Sequence, residues 1–300
     1  MTIKVIHNPY SARWTSLKRQ PELIEALQGA GIEFDLSISE NPGDGIKLTE
    51  KATQEGFDTI IAAGGDGTIQ EVINGILKNG IQKDTPKFGV MPMGTANDLM
   101  ANLGMPSNLK EAAEIIARGT TKNIDICQVN DHYFINNAGL GLEPYITTVQ
   151  EKIKRLRGIL RYLVATLISI SHNPQWEAEI KWDDGEYKGA TTIVSIGNGP
   201  RTGGLFYTVP SANPFDGKLT FVHGAIQSRF EILKTLLMVM KSGDGNYTEH
   251  PAVYQYDCTW MDIKLSPGTP AHSDGEIFSR DIRQLRYKIH PAAIPILINK

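Results

Sequence analysis

The chain has 300 residues, 41% of them hydrophobic and 21% charged, and a formal charge of -3 with a pI near 6.2. That length holds two cores of ordinary size, and the near-neutral balance gives no global attraction to nucleic acid or to an anionic membrane, so any such contact must be local. Cys127 and Cys258 are too few for a metal cluster or a disulfide framework, and read as small core residues of a chain in a reducing cytoplasm.

The N-terminus, Met1 to Asn8, opens as a strand without the basic start and long apolar stretch of a signal peptide, so no export is expected. Short β-type runs then alternate with helical stretches: Ile3 to His7 and Pro21 to Ala30, Glu33 to Ile38 and Ile46 to Glu55, Thr59 to Ala63 and Ile69 to Leu77, Lys87 to Met91 and Ala96 to Asn102. Such alternation predicts a mostly parallel sheet with helices on its faces, and ligands of these sheets lie beyond the carboxyl ends of the strands.

After about residue 130 the pattern changes. Long helical stretches, Leu142 to Ser171 and Phe230 to Met240, interrupt β-rich runs at Trp176 to Trp182, Ala190 to Ile196, Leu219 to His223, Val253 to Leu265 and Gln284 to Ile289. Segregated strands and helices predict an antiparallel, sandwich-like second domain. The expected division is residues 1–128 for an α/β nucleotide-binding domain and 129–289 for the β-rich domain, with the apolar residues of 290–300 returning to the first. The most apolar window, Ile159 to Ile170, is well short of the roughly 20 residues that cross a bilayer.

Three polar or glycine-rich turns follow strands of the first half: Asn8-Pro9-Tyr10-Ser11, Gly64-Gly65-Asp66-Gly67-Thr68, and Pro92-Met93-Gly94-Thr95. They should converge on one rim. In the second turn three glycines remove the Cβ atoms that would hold phosphate oxygens away from backbone N–H groups, and Thr68 stands where a helix N-cap hydroxyl would. Asp66 in its middle suits a metal ligand or an acid/base group. Pro92 to Asp98 adds a second turn with a capping threonine, Thr95, and an Asn/Asp pair at a helix start, and Asp274-Gly275-Glu276 sets two acids around a glycine far downstream.

Together with Asp125 in Asn123 to Ile126, Asn136 to Gly141, Asn198-Gly199-Pro200, Gly203-Gly204 and Asp216-Gly217, these motifs resemble the diacylglycerol kinase catalytic-domain superfamily along essentially the whole chain, and within it the bacterial lipid kinases. The resemblance implies an α/β nucleotide domain, a β-sandwich lipid domain, an active site in the cleft between them, and ATP-dependent phosphoryl transfer with Mg²⁺ to a lipid hydroxyl presented at a membrane. One departure is visible: the first loop often reads Asn-Pro-x-Ser-Gly in such kinases, but here Ala12 takes the glycine position and Arg13 follows. Alanine disfavours positive φ by roughly 1 kcal/mol, so the loop is arranged differently or holds nucleotide more weakly.

By that resemblance the phosphates belong to Gly64, Gly65, Asp66, Gly67 and Thr68, with Ile69 and Gln70 continuing the helix and Glu71 reaching ribose or water, unless Glu71 is only a first-turn carboxylate favoured by the helix dipole. The first loop, Asn8 to Ala12, together with Thr95 and Asn97, joins the nucleotide set; Ser39 is a further candidate and equally a plain turn residue. Glu276 is the implied proton acceptor. An extended segment would put Asp274 and Glu276 on one face, each raising the other's pKa; the alternative is an Asp-Gly turn between strands. Asp125 is implied in the Mg²⁺ network, with pairing to a lysine as its alternative. The loop Asn213 to Lys218 resembles one that holds a structural Mg²⁺ through the Asp216 side chain and the carbonyls of Asn213 and Lys218, or it is a simple turn.

Lys152 to Arg161 carries five positive charges and is amphipathic at helical spacing, either a dock for anionic lipid or a solvated helix face. Competing readings are a sphingoid-base or other lipid-alcohol kinase, which shares every motif; an NAD kinase or 6-phosphofructokinase, which share the GGDG turn; and a catalytically silent sensor, against which Asp66, Asp125 and Glu276 speak. Homo-oligomerisation stays open, and nucleic acid is not an expected partner.

Overall fold

The computed structural model describes residues 2–12, 15–82, 84–156 and 158–299. The first half runs β1 (Ile3–His7), α1 (Thr15–Lys18), α2 (Gln20–Gly29), β2 (Asp35–Ile38), α3 (Asp44–Gln54), β3 (Thr59–Gly64), α4 (Asp66–Ile76), β4 (Lys87–Pro92), α5 (Asp98–Asn102), α6 (Leu109–Arg118) and β5 (Thr121–Val129). Strands β1 and β3 are buried at every position, as strands covered by helices on both faces must be. The order β4-β3-β1-β2 is parallel throughout, with Ile61 opposite both Val5 and Gly89. Two cores flank this sheet, one built on Val72, Ile73 and Phe88, the other on Leu23, Leu27 and Met91.

Helix α6 lies outside the sequence expectation, although its ends are well marked. Asn108 caps it by accepting from Glu111 N at 2.9 Å, and Gly119 closes it in the left-handed region.

The second half runs β6 (His132–Phe134), β7 (Asn137–Gly141), α7 (Leu142–Lys152), α8 (Gly158–His172), β8 (Trp176–Trp182), β9 (Gly185–Thr191), β10 (Ile193–Gly197), β11 (Leu219–Gly224), α9 (Arg229–Met238), β12 (Val253–Cys258), β13 (Trp260–Ser273) and β14 (Glu276–Leu297). The pairs β12-β11-β10-β7-β13-β14 are antiparallel, and β8 and β9 branch from β13. Burial alternates along β8, whose inward Trp182 meets Phe221 of the facing strands at 5.3 Å between ring centroids. The fold is thus an α/β domain joined to a β-sandwich-like domain. Both cysteines are buried, Cys127 and Cys258 alike lying in the sandwich core.

β14 is what joins the halves. It pairs with β13 from Glu276 onward, crosses to β5, and ends beside β4 with Ile296 opposite Phe88. The predicted helix from Leu142 to Ser171 is two helices: the chain leaves the helical region at Ile153, with φ -89° and ψ 94°. The basic stretch therefore straddles a break rather than forming one amphipathic helix; its Arg157 lies outside the described residues, as does Arg13 of the first loop.

Helices α3 and α4 touch through a glycine. A Cβ on Gly75 would lie 2.5 Å from Thr49 Cβ and 2.7 Å from the Ile46 carbonyl, whereas one on Gly29 would meet nothing within 4 Å. Gly75→Val is accordingly expected to cost about 2 kcal/mol or more, and Gly29→Ala to be neutral or stabilising, in urea unfolding of the two variants side by side.

Candidate active site

Strand β3 ends at Gly64 and α4 starts at Asp66, so the helix begins earlier than the threonine suggested. Gly65 is the N-cap, in extended backbone with φ -99° and no side-chain cap. Thr68 lies inside the first turn and is buried, with its hydroxyl 3.2 Å from Ser11 Oγ, and Ser11 Oγ accepts from Gly65 N at 3.3 Å. On the other side Gly94 packs backbone to backbone on Gly65: a Cβ on Gly94 would stand 2.5 Å from Gly65 Cα. Glycine is required there by contact, and the three loops meet around the N-terminus of α4, where free amides and the helix dipole favour anions.

Ala12 adopts φ 49°, the left-handed conformation that its glycine counterpart would take without cost, and its carbonyl accepts from Thr15 Oγ1 at 2.8 Å. The loop keeps that shape despite the alanine. Asn8 Oδ1 accepts from Tyr10 N, and both side chains line an open cleft of about 630 Å³ together with Pro42, Gly67, Gln70 and Glu276. Glu40 and Asn41 also line it. Sequence reasoning passed over these three residues of the loop after β2, though Asn41-Pro42 behind a strand is the same kind of signal as Asn8-Pro9. Ser39 is buried, its hydroxyl 3.4 Å from the His7 carbonyl.

Asp274 and Gly275 are the two central residues of a tight hairpin turn, with φ 45° and 85°, and Ser273 pairs with Glu276 across it. The two acids therefore point apart, and the extended arrangement expected from the sequence does not form. Asp274 turns inward and its carboxylate accepts from Ile135, Asn136 and Asn137 N at 3.0, 2.9 and 3.0 Å. Glu276 turns into the cleft: a Cβ on Gly67 would be 3.2 Å from its Oε1. The hairpin is tied to the same helix by Gln70 Nε2, which donates to Ser273 Oγ at 2.7 Å. An acid from the second domain thus stands against the glycine turn of the first.

Asp66 Oδ1 accepts from Asp98 N at 2.8 Å and Leu99 N at 3.4 Å, capping α5. Thr95, expected in a capping place, is exposed; Asn97 is the N-cap, with φ 47° and its Oδ1 accepting from Gly94 N. Asp98 Oδ1 in turn accepts from Gly204 N at 2.9 Å and Arg201 Nε at 3.3 Å, a bridge across the cleft. Asn102 adds a second bridge, donating to Asn136 Oδ1 and to the Arg201 carbonyl. Arg201 and Asn102 were not picked out as site residues, although Arg201 stands between the Asn198-Gly199-Pro200 and Gly203-Gly204 motifs.

Burial and the adjacent Asp98 carboxylate push Asp66 up to about 6, and burial raises Asp98 as well. Two neighbouring carboxylates that resist ionising side by side form a donor set suited to a hard divalent cation. Among the described residues no three His, Cys, Asp or Glu side chains cluster as a metal cage; the pair fits an ion such as Mg²⁺ that takes its remaining ligands from phosphate and water.

Other expected ligands are bonded to backbone amides. Glu71 accepts from Gly43 N at 2.8 Å and Gly45 N at 2.9 Å, so its carboxylate holds the start of α3, and the residue also lines the cleft with Glu276. Asp125 accepts from Gly217 N and Ala292 N, both at 2.7 Å; it holds the loop of residues 213–218 and the bulge of β14, not the Asp66 pair and not a lysine. In that loop Asn213 Oδ1 accepts from Phe215 N and Asp216 Oδ1 from Lys218 N. Ile69 is core, nearly without exposure.

An α/β half that presents amides to anions, closed by a sandwich that supplies an acid at the same mouth, is the build of a phosphotransferase with an alcohol group as acceptor. Residues 2–129 match the diacylglycerol kinase catalytic domain, and residues 137–298 the YegS C-terminal NAD kinase beta sandwich-like domain. A diacylglycerol kinase of Staphylococcus epidermidis is 30% identical over 274 residues, 91% of this chain and 85% of that protein; one of Staphylococcus aureus is 28% identical over the same span. A diacylglycerol kinase structure from Bacillus anthracis shares the fold with a TM-score of 0.79 at 21% identity, covering 99% of this chain and 97% of that one. The chain belongs to the diacylglycerol kinase catalytic-domain family.

Two outcomes follow. Ala12→Gly relieves the left-handed alanine and is expected to stabilise the fold by about 0.5–1 kcal/mol, net of unfolded-state entropy, in urea unfolding. Asp66 binds a proton more tightly folded than unfolded, so its contribution falls as pH rises from about 4 to about 6. Asp66→Asn should flatten that loss by up to about 3 kcal/mol in unfolding series run between about pH 4 and pH 7 without nucleotide.

Proposed function

We propose that this chain transfers the γ-phosphoryl group of ATP to a hydroxyl of a diacylglycerol-like or phosphatidylglycerol-like lipid. The observation that carries the proposal is the placing of Glu276 against Gly67, where a carboxylate of one domain faces the phosphate loops of the other. The Gly67 amide and the Ser11 hydroxyl, which Gly65 N and the buried Thr68 hydroxyl hold in place, receive the phosphates. Asp66 and Asp98 hold Mg²⁺, which when bound neutralises charge on the phosphoryl oxygens. Glu276 takes the acceptor proton as the new P–O bond forms and the β–γ bridging bond breaks, its electron pair leaving with ADP.

Support for a lipid acceptor comes from the second domain. Helices α7, α8 and α9 roof a largely apolar cavity lined by Leu142, Ile146, Tyr162, Ile170, Phe206 and Val239, among others. Glu143 is its one charged lining residue among those described, set 3.2 Å from His272 Nε2 and 3.3 Å from Ser195 Oγ. A room of about 100 Å³ with apolar walls and one polar end takes a short length of acyl chain. Gly139 leaves space for the pair, since a Cβ there would come within 2.6 Å of His272 and 2.8 Å of Glu143.

The test incubates the protein with labelled ATP, Mg²⁺ and mixed micelles of diacylglycerol, phosphatidylglycerol or a sphingoid base. Labelled lipid is expected, with Glu276→Gln lowering turnover about 10²–10⁴-fold while nucleotide affinity stays near wild type. Label in NADP⁺ when NAD⁺ is supplied, with none in any lipid, overturns the reading.

A further inference from the structure

Strand β1 is buried at every position, and its last residue, His7, has no exposure at all. An apolar side chain there would lose no hydration. The imidazole does: burial holds its pKa below the ordinary histidine value, and its Nδ1 has no hydrogen-bond partner among the described residues. The other nitrogen is engaged. Nε2 lies 3.1 Å from Ser16 Oγ, and Ser16 Oγ donates onward to Met93 Sδ at 3.8 Å, so the ring is the neutral tautomer that donates from Nε2.

This buried relay ties together loops that each carry part of the nucleotide site. Ser16 belongs to α1, the return leg of the first loop, and is the buried side chain of that four-residue helix. Its N–H donates to the Ser11 carbonyl at 3.3 Å, and Leu17 N donates to the Pro9 carbonyl at 3.1 Å. Met93 belongs to the third turn, beside the Gly94 that packs on Gly65, and its own N–H donates to the Gly64 carbonyl at 2.9 Å. The backbone of the same histidine serves the loop after β2. Its carbonyl accepts from Ser39 N at 2.9 Å, just before Glu40, Asn41 and Pro42 of the cleft.

The first loop needs such a hold. Ala12 sits at φ 49°, a conformation that glycine takes freely and alanine does not. Leu17, 50% exposed, gives α1 no apolar anchor. The side-chain bonds of Ser11 itself, to Gly65 N and the Thr68 hydroxyl, use the same oxygen that is to meet phosphate. A contact from below, made by a side chain outside the cleft, leaves that oxygen available.

We propose that His7 is a positioning residue for the nucleotide phosphates: through Ser16 and Met93 it holds the first loop, and Ser11 within it, in place against the glycine turn. The proposal deepens the phosphotransferase reading and rests on it for the identity of the ligand. His7 does not line the cleft, so it acts on the fit of the phosphates and not on the transfer itself.

The test is calorimetric titration of the full chain with ATP and Mg²⁺, beside urea unfolding of the same proteins. His7→Leu, Ser16→Ala and the double variant are each expected to weaken ATP binding about tenfold, the double no more than the singles, because all three break one relay. His7→Gln, whose carboxamide reaches the Nε2 position, should stay within about threefold of wild type. The double variant should unfold at or above the wild-type urea midpoint, since both polar partners are gone from the core; a merely structural role would not separate affinity from stability in this way. In steady state the loss should fall on KM for ATP, with kcat and KM for the lipid acceptor within about twofold of wild type. Wild-type ATP affinity in His7→Leu and in the double variant overturns the proposal, as does a loss that falls on kcat or on the lipid KM instead. Should His7→Leu fail to fold, Ser16→Ala alone decides, and unchanged ATP affinity in it is equally fatal. A wild type that binds no ATP removes the phosphotransferase reading itself, whereas tight binding by wild type and variants alike removes only the role given to His7.

Discussion

Asp274 is a carboxylate with almost no access to water, held by the amides of three consecutive residues, Ile135 to Asn137. Burying such a charge is costly, and its pKa rises to about 6 even against three bonds that favour the ionised form. The arrangement persists because it satisfies two needs at once. The entry to β7 gains acceptors for its backbone donors, and the left-handed Asp-Gly turn is locked in the one conformation that sends the next acid out toward the α/β domain. Glu276 faces Gly67 from the far side of the turn whose first central residue, Asp274, is held inward.

The two halves share apolar contacts, with Ile135 and Phe215 of the second packing on the core around Val72 and Phe88, but the mouth is set by polar contacts made at single residues. Asp98, on the helix that Asp66 caps, reaches Arg201 and Gly204, Asn102 clasps Asn136 and the Arg201 carbonyl, and Gln70 holds Ser273. Such bonds are directional and individually weak, so they fix the register of the mouth while leaving the outer cleft open. The strand that carries Glu276 also ends in the first sheet beside Phe88, which limits how far the halves can separate.

The same economy explains why two acids of the motifs are bonded to backbone amides. Glu71 caps α3 and Asp125 pins two loops, each bonding two backbone amides at 2.7–2.9 Å. An acid repeated in a motif is as readily an anchor for the loops that shape a site as a member of it. Asp98 goes the other way: it belongs to the helix-start signal and becomes the neighbour that, after burial, most raises Asp66.

Much of the first domain was legible because its signals are local. Buried runs of period two or none, glycines at strand ends and helix-compatible stretches follow from contacts made within a few residues, and they give the order of elements and the three loops. The glycine turn could be read as an anion cradle from its composition alone. What the sequence could not contain is which groups meet: that Asp274 would turn inward at φ 45°, that Gly94 would press on Gly65, and that Arg201 would cross to Asp98. Each of these is decided by groups 29 to 139 residues apart, whose meeting depends on the packing of the whole chain rather than on any segment of it.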